Sequence, residues 1–205
     1  MEKFSKINKL KLSNELIKLR RYYKSIGIPS ALEETLNELI LHCSIKQPSS
    51  ILEIGTATGI SGIAMLSYCH EASLTTIEKD EESFKEAKKN FEKFGVSEKV
   101  KQLLGDAGDI LNYLNGSFDF IFLDGAKARY IDYYYDIKRL LKPNGVLFAD
   151  NVLFRGYIDG GVEFDHRDNT IVRNMREFLH KVIDDKDYIC SIYEIGDGIL
   201  IAQKL

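Results

Sequence analysis

The chain has 205 residues, of which 44% are hydrophobic and 29% charged, with a formal net charge of -3. This suits one α/β domain of ordinary composition and excludes a disordered or fibrous chain and a second full domain. Cys43, Cys69 and Cys190 are widely spaced, odd in number and without a Cys-x-x-Cys pair, so neither a zinc site nor a disulfide framework is expected. No segment approaches the roughly 20 apolar residues of a membrane span, and no signal peptide is evident. The expectation is a cytoplasmic protein with no membrane partner.

The first 25 residues carry Lys3, Lys6, Lys9, Lys11, Lys18, Arg20, Arg21 and Lys24 against only Glu2 and Glu15. Such asymmetry suits an arm that approaches phosphates, or simply a solvated helix face. Leu12, Leu16 and Leu19 fit one helical face, and a second helix follows Pro29 with Leu32, Leu36, Leu39 and Ile40 at helical spacing. Pro48 ends this leader, which divides the single domain into a helical leader, 1–47, and an α/β core, 48–205.

From Ser50 the pattern changes to short apolar runs at 51–54, 74–77, 100–104, 118–123 and 146–149, alternating with amphipathic stretches. This is the pattern of βαβ units and a parallel sheet. Helices fit 81–94 and 130–141, the latter before a Pro143-Asn144-Gly145 turn. A polar loop, 156–168, precedes a helix over 170–183. Runs at 188–195 and 199–202 then flank Gly196-Asp197-Gly198, a hairpin signal that closes the sheet with an antiparallel edge.

Ligands of open α/β sheets bind outside the carboxyl ends of the strands. There the first strand runs into Gly55-Thr-Ala-Thr-Gly59-Ile-Ser-Gly62, a glycine-rich turn that opens a helix and lets backbone approach a ligand. Ala57 stands where a dinucleotide fingerprint needs its middle glycine, which argues against NAD. Glu78 ends the second strand, where a carboxylate accepts from ribose hydroxyls, and Asp106 ends the third. Together they favour an adenosine site over unrelated surface carboxylates. Asp124, Asp150 and Asn151 end the next two strands and form an oxygen-rich set suited to Mg²⁺, or else they cap local turns.

These motifs, with Asp124-Gly-Ala-Lys127 and Gly196-Asp-Gly198, resemble the metal-dependent O-methyltransferases that include catechol and caffeoyl-CoA O-methyltransferases. Lys46-Gln-Pro48, Asp150-Asn-Val-Leu-Phe-Arg-Gly156 and the final hairpin are similar to the bacterial tRNA 5-hydroxyuridine methyltransferase branch. The resemblance implies a Rossmann-like class I fold, with a seven-stranded, mostly parallel sheet, an antiparallel C-terminal hairpin and a helical leader. It implies S-adenosylmethionine contacts at Glu53, Gly55, Thr56, Gly59, Ser61, Glu78, Asp106, Ala107 and Asp124. It also implies Mg²⁺ or another divalent cation on Asp124, Asp150 and Asn151, and catalysis by Lys127 as general base beside Asp124. Gly125 departs from the Ala or His of many relatives, and Ile60 stands where an aromatic commonly follows Gly59.

The expected reaction is O-methylation, of 5-hydroxyuridine in tRNA or of a small catechol-like compound. A non-catalytic module that binds the adenosine cofactor is the reading from a different class. For tRNA, Arg155, Tyr157, His166, Arg167, Arg173 and Arg176 would supply cations and an aromatic, although Asp159, Glu163, Asp165 and Asp168 interleave with them. A homodimer is expected to use the Leu12, Leu16 and Leu19 face.

Overall fold

Alternating apolar residues build the strands, and their two faces take up two layers of helix. In the computed structural model, which describes residues 11–28, 31–160, 163 and 165–205, β1 (Ser50–Ile54), β2 (Ser73–Glu78), β3 (Val100–Leu104), β4 (Phe118–Leu123) and β5 (Leu141–Asp150) run parallel. β6 (Tyr188–Tyr193) and β7 (Ile199–Lys204) complete seven strands in the order β3-β2-β1-β4-β5-β7-β6, with β7 antiparallel to both its neighbours. Lys3, Lys6 and Lys9 of the basic arm, Pro29 before the second helix, and residues 161, 162 and 164 of the expected loop lie outside the described residues.

The central strands are buried on both faces, as a parallel sheet between helices requires. Leu52, Ile54, Ile121 and Leu123 face one cluster with α5 (Ala107–Tyr113), α6 (Tyr130–Leu140) and α7 (Asn169–Ile183). Ile51, Phe120, Phe122 and Phe148 face the other, with α1 (Asn14–Ser25), α2 (Glu33–Lys46), α3 (Ile60–Tyr68) and α4 (Glu81–Lys93). Strand order reverses at β1 and β4, so their carboxyl ends open a crevice.

Two expectations need correction. The Pro143-Asn144-Gly145 segment is not a turn before the strand but a bulge within β5: Phe118 pairs with Leu141 while Phe120 pairs with Val146. A bulge accommodates a proline that cannot donate to the ladder. Gly145 is required there, because a Cβ would lie 2.8 Å from the Lys142 carbonyl oxygen. The leader face expected to serve a homodimer is occupied within the chain, with Leu16 only 1% exposed and Leu12 and Leu19 packed on the same cluster. Among the described residues no helix is long and apolar enough to cross a membrane.

Candidate active site

The turn after β1 is held by close backbone approach. Gly55 has φ +102°, and a Cβ there would sit 2.2 Å from the Asp124 carbonyl oxygen, so only glycine lets the ends of β1 and β4 meet. Ala57 is left-handed at φ 45°, and its N–H donates to Glu78 Oε2 at 2.8 Å. Glu78 Oε1 accepts from the N–H groups of Lys79 and Asp80, both at 2.9 Å. The carboxylate therefore ties the β1 turn to the end of β2.

Glu53 stands behind this turn, fully buried. Its oxygens accept from Ser61 Oγ and from Thr76 Oγ1, the latter at 2.7 Å. Burial pushes its carboxyl up to about 7, against the pull of those hydroxyls and with a further push from Glu78. Glu53 and Gly59 line neither of the two cavities at the crevice. Gly59 instead packs on Phe91, whose ring a Cβ would approach to 2.9 Å.

The smaller cavity, about 310 Å³, brings together Gly55, Glu78, Asp106, Ala107, Asp124 and Gly125. Asp106 also caps α5, accepting from the Gly108 N–H at 2.8 Å. Arg129 and Tyr133 complete the wall, with the guanidinium 5.8 Å from the ring centroid. Neither was among the sequence candidates. Tyr133 reads there as one more apolar position of α6, and only the docking of α6 beside β4 brings it to the cavity.

The larger cavity, about 700 Å³, is lined by Thr56, Ser61, Asp124, Lys127, Asp150 and Asn151 together with residues from the leader and the last hairpin. Burial pushes Asp124 up to about 7, with Asp150 and Glu53 adding to the rise and Lys127 opposing it. Asp150 is pushed up to about 6 by burial, against the Asn151 N–H, Lys127 and the Thr35 hydroxyl. Two buried carboxylates at adjacent strand ends, both held above the usual carboxylate range and next to the Asn151 amide, are hard donors short of positive charge, and a divalent cation fits that set. Among the described residues no three of His, Cys, Asp and Glu gather for a metal. The capping alternative holds in part: Asp150 Oδ1 accepts from the Asn151 N–H at 2.6 Å, but the turn at Lys127–Arg129 has no side-chain cap from Asp124.

The segment after β5 is wound left-handed at Asn151, Phe154 and Arg155, with φ 58°, 37° and 58°. The hairpin before β7 holds it there. Gly198 O accepts from the Val152 N–H and Asp197 O from the Leu153 N–H, both at 3.0 Å, while Asp197 Oδ1 accepts from the Arg155 N–H. A Cβ at Gly198 would collide with Leu153. The buried Tyr130 hydroxyl, also missed by sequence reasoning, lies 3.2 Å and 3.1 Å from the carbonyl oxygens of Leu123 and Asp150 and links the two strand ends.

A family model described as O-methyltransferase matches residues 8–205. A caffeoyl-CoA O-methyltransferase of Stellaria longipes is 30% identical over 170 residues, covering 78% of this chain and 69% of the plant protein. A Staphylococcus aureus structure provisionally assigned as a caffeoyl-CoA O-methyltransferase superposes with a TM-score of 0.87 at 27% identity, covering 94% of this chain and 93% of its own. The Bacillus cereus O-methyltransferase in complex with SAH, at 23% identity and TM-score 0.84 over 96% and 92% of the two chains, shares the fold.

Proposed function

The chain belongs to the O-methyltransferase family, and from that membership we infer that it moves a methyl group from S-adenosylmethionine to a hydroxyl oxygen held beside a divalent cation. The observation that carries this reading is the meeting of the two cavities at Ala57 and Asp124. One has the glycine turn and strand-end acids suited to adenosine; the other has paired carboxylates and a lysine.

In this reading Glu78 accepts from the ribose hydroxyls, Asp106 and Ala107 bound the adenine, and Thr56 and Ser61 border the methionine end. Asp124, Asp150 and Asn151 hold the cation. When bound, the cofactor supplies a methyl group whose sulfur departs with the C–S electron pair, and the cation supplies a Lewis acid that lowers the hydroxyl pKa. Lys127 Nζ accepts the hydroxyl proton as the new C–O bond forms. The chain contributes chiefly position, because an in-line displacement needs oxygen, carbon and sulfur aligned.

For the acceptor we propose a small hydroxylated aromatic, a class that the name of the Stellaria longipes relative parallels. Leu32, Leu36, Ile60 and Phe154 give the larger cavity an apolar wall suited to a ring. A 5-hydroxyuridine in tRNA is the second reading, favoured by Arg20 and Arg155 at the same cavity. It gains little from Arg167, which pairs with Asp165 at 2.8 Å, or from Arg176, which donates to the carbonyls of Ile158 and Tyr157. Labelled-methyl transfer to catechols and to total tRNA, across a range of salt, separates the two. Phosphate contacts make the tRNA reaction fall steeply with salt, and a catechol reaction stays nearly flat. Transfer to tRNA alone would reject the small acceptor.

A further inference from the structure

Six ionisable side chains line the larger cavity: the carboxyls of Asp124, Asp150 and Asp197, the guanidinium groups of Arg20 and Arg155, and the Lys127 amine that serves as base. The proposed function assigns the first two carboxylates to a divalent cation and places a sulfonium beside them. The loaded cavity then holds an excess of positive charge that one ionised hydroxyl does not cancel. In a partly enclosed site such an excess favours an anionic ligand.

The two arginines are placed to meet it. Arg20 reaches the cavity from α1, where Nη2 donates to the Ala31 carbonyl at 2.7 Å. Its contact to the largely exposed Glu33 is long, 3.7 Å, and its buried Nε–H has no acceptor among the described residues. Buried donors are rarely left so, and the guanidinium is under-satisfied where it stands. Arg155 comes from the left-handed segment after β5. Asp197 holds its backbone, its guanidinium lies 5.4 Å from the Phe154 ring centroid, and no carboxylate pairs with that guanidinium among the described residues.

We propose that Arg20 and Arg155 form an anion subsite, and that the acceptor is a hydroxylated aromatic acid whose carboxylate they hold while its hydroxyl is methylated. This deepens the proposed function and rests on it for the reaction, though not for the binding. Guanidinium groups suit a carboxylate because their N–H donors form a planar fork.

The test pairs 3,4-dihydroxybenzoate with the neutral 3,4-dihydroxybenzyl alcohol, using the full chain with S-adenosylmethionine and Mg²⁺. Calorimetry of 3,4-dihydroxybenzoate binding to the protein loaded with S-adenosylhomocysteine runs in parallel. We expect kcat/KM to favour the acid by about tenfold or more, mainly through KM, as charge-assisted hydrogen bonds give. Arg20→Gln and Arg155→Gln should each shrink that ratio about tenfold and weaken binding similarly, while Arg20→Lys keeps part of it. Arg155 is exposed, so its variant remains informative if Arg20→Gln disturbs α1. Equal use of acid and alcohol, or a ratio indifferent to both Gln variants, would overturn the subsite. If neither compound is methylated, the small-acceptor reaction fails; binding that weakens in the Gln variants still upholds the subsite, and absent binding overturns it.

Discussion

Glu53 and Glu78 are glutamates at successive strand ends, and their surroundings divide their duties. Glu53 is sealed in a net of hydroxyls, whereas Glu78 borders the smaller cavity with its oxygens held by three backbone N–H groups. Glu78→Ala should weaken S-adenosylhomocysteine binding at least tenfold by calorimetry, since a charge-assisted hydrogen bond contributes about 1.5 to 3 kcal/mol. An unchanged affinity would remove Glu78 from the cofactor site. Gly55→Ala should be more damaging, because the added carbon meets the Asp124 carbonyl and φ is left-handed. We expect about 1 to 3 kcal/mol of lost stability from the backbone alone, together with weakened cofactor binding. A melting temperature and cofactor affinity matching the intact chain would show that the close approach is unimportant. Strand-end acids and glycines were legible in the sequence because their positions follow from the period of the strands. Whether a given side chain faces a cavity, as Glu78 does and Glu53 does not, depends on Ser61 and Thr76 arriving from other elements.

The strands are pinned at the end away from the site by Asp119 on β4. Its Oδ2 accepts from the N–H groups of Ser49 and Ser50 at 3.1 Å and 3.0 Å, and Oδ1 meets Lys142 Nζ at 3.0 Å. Burial alone would raise this carboxyl, but hydrogen bonds from Ser49, Lys142 and Ser50 outweigh it and hold it well below the usual carboxylate range. A depressed folded pKa gives stability that is fully present above the unfolded value of about 4 and is lost progressively as pH falls from there through the folded pKa. Asp119→Asn should therefore cost about 1 to 3 kcal/mol near neutral pH, and its melting temperature should begin to approach that of the intact chain only below about pH 4, meeting it as pH falls through the depressed folded pKa. A gap independent of pH would contradict this. Five parallel strands and the hairpin were legible from apolar runs and turn residues. The start of β5 was not, because Pro143-Asn144-Gly145 has the composition of a turn, and only pairing with Phe118 and Phe120 keeps it within the sheet.

At the scale of the molecule the leader belongs to both the core and the larger cavity. Leu16 and Tyr23 are buried, the Tyr23 hydroxyl donates to Glu86 at 2.8 Å, and the Thr35 hydroxyl donates to Asp150 at 3.5 Å. Removing residues 1–25 should lower stability by about 3 to 6 kcal/mol in denaturant melts, from two lost side chains at about 1.5 to 3 kcal/mol each. Retained folding should keep S-adenosylhomocysteine binding, because Arg20 borders only the larger cavity. Unchanged stability would mean that the leader is an appendage. Its charge was plain in the sequence, but its packing was not, since one apolar face at helical spacing does not say which surface covers it.

We propose methyl transfer at a cation held by Asp124 and Asp150. Its most direct test is transfer of labelled methyl from S-adenosylmethionine to a panel of catechols and total tRNA, with and without chelator, for the intact chain and Asp150→Ala. Chelator should abolish transfer and Mg²⁺ restore it, and transfer should be lost in a folded Asp150→Ala protein still able to bind S-adenosylhomocysteine. Transfer untouched by both chelator and substitution, or cofactor binding without transfer to any acceptor, would contradict it.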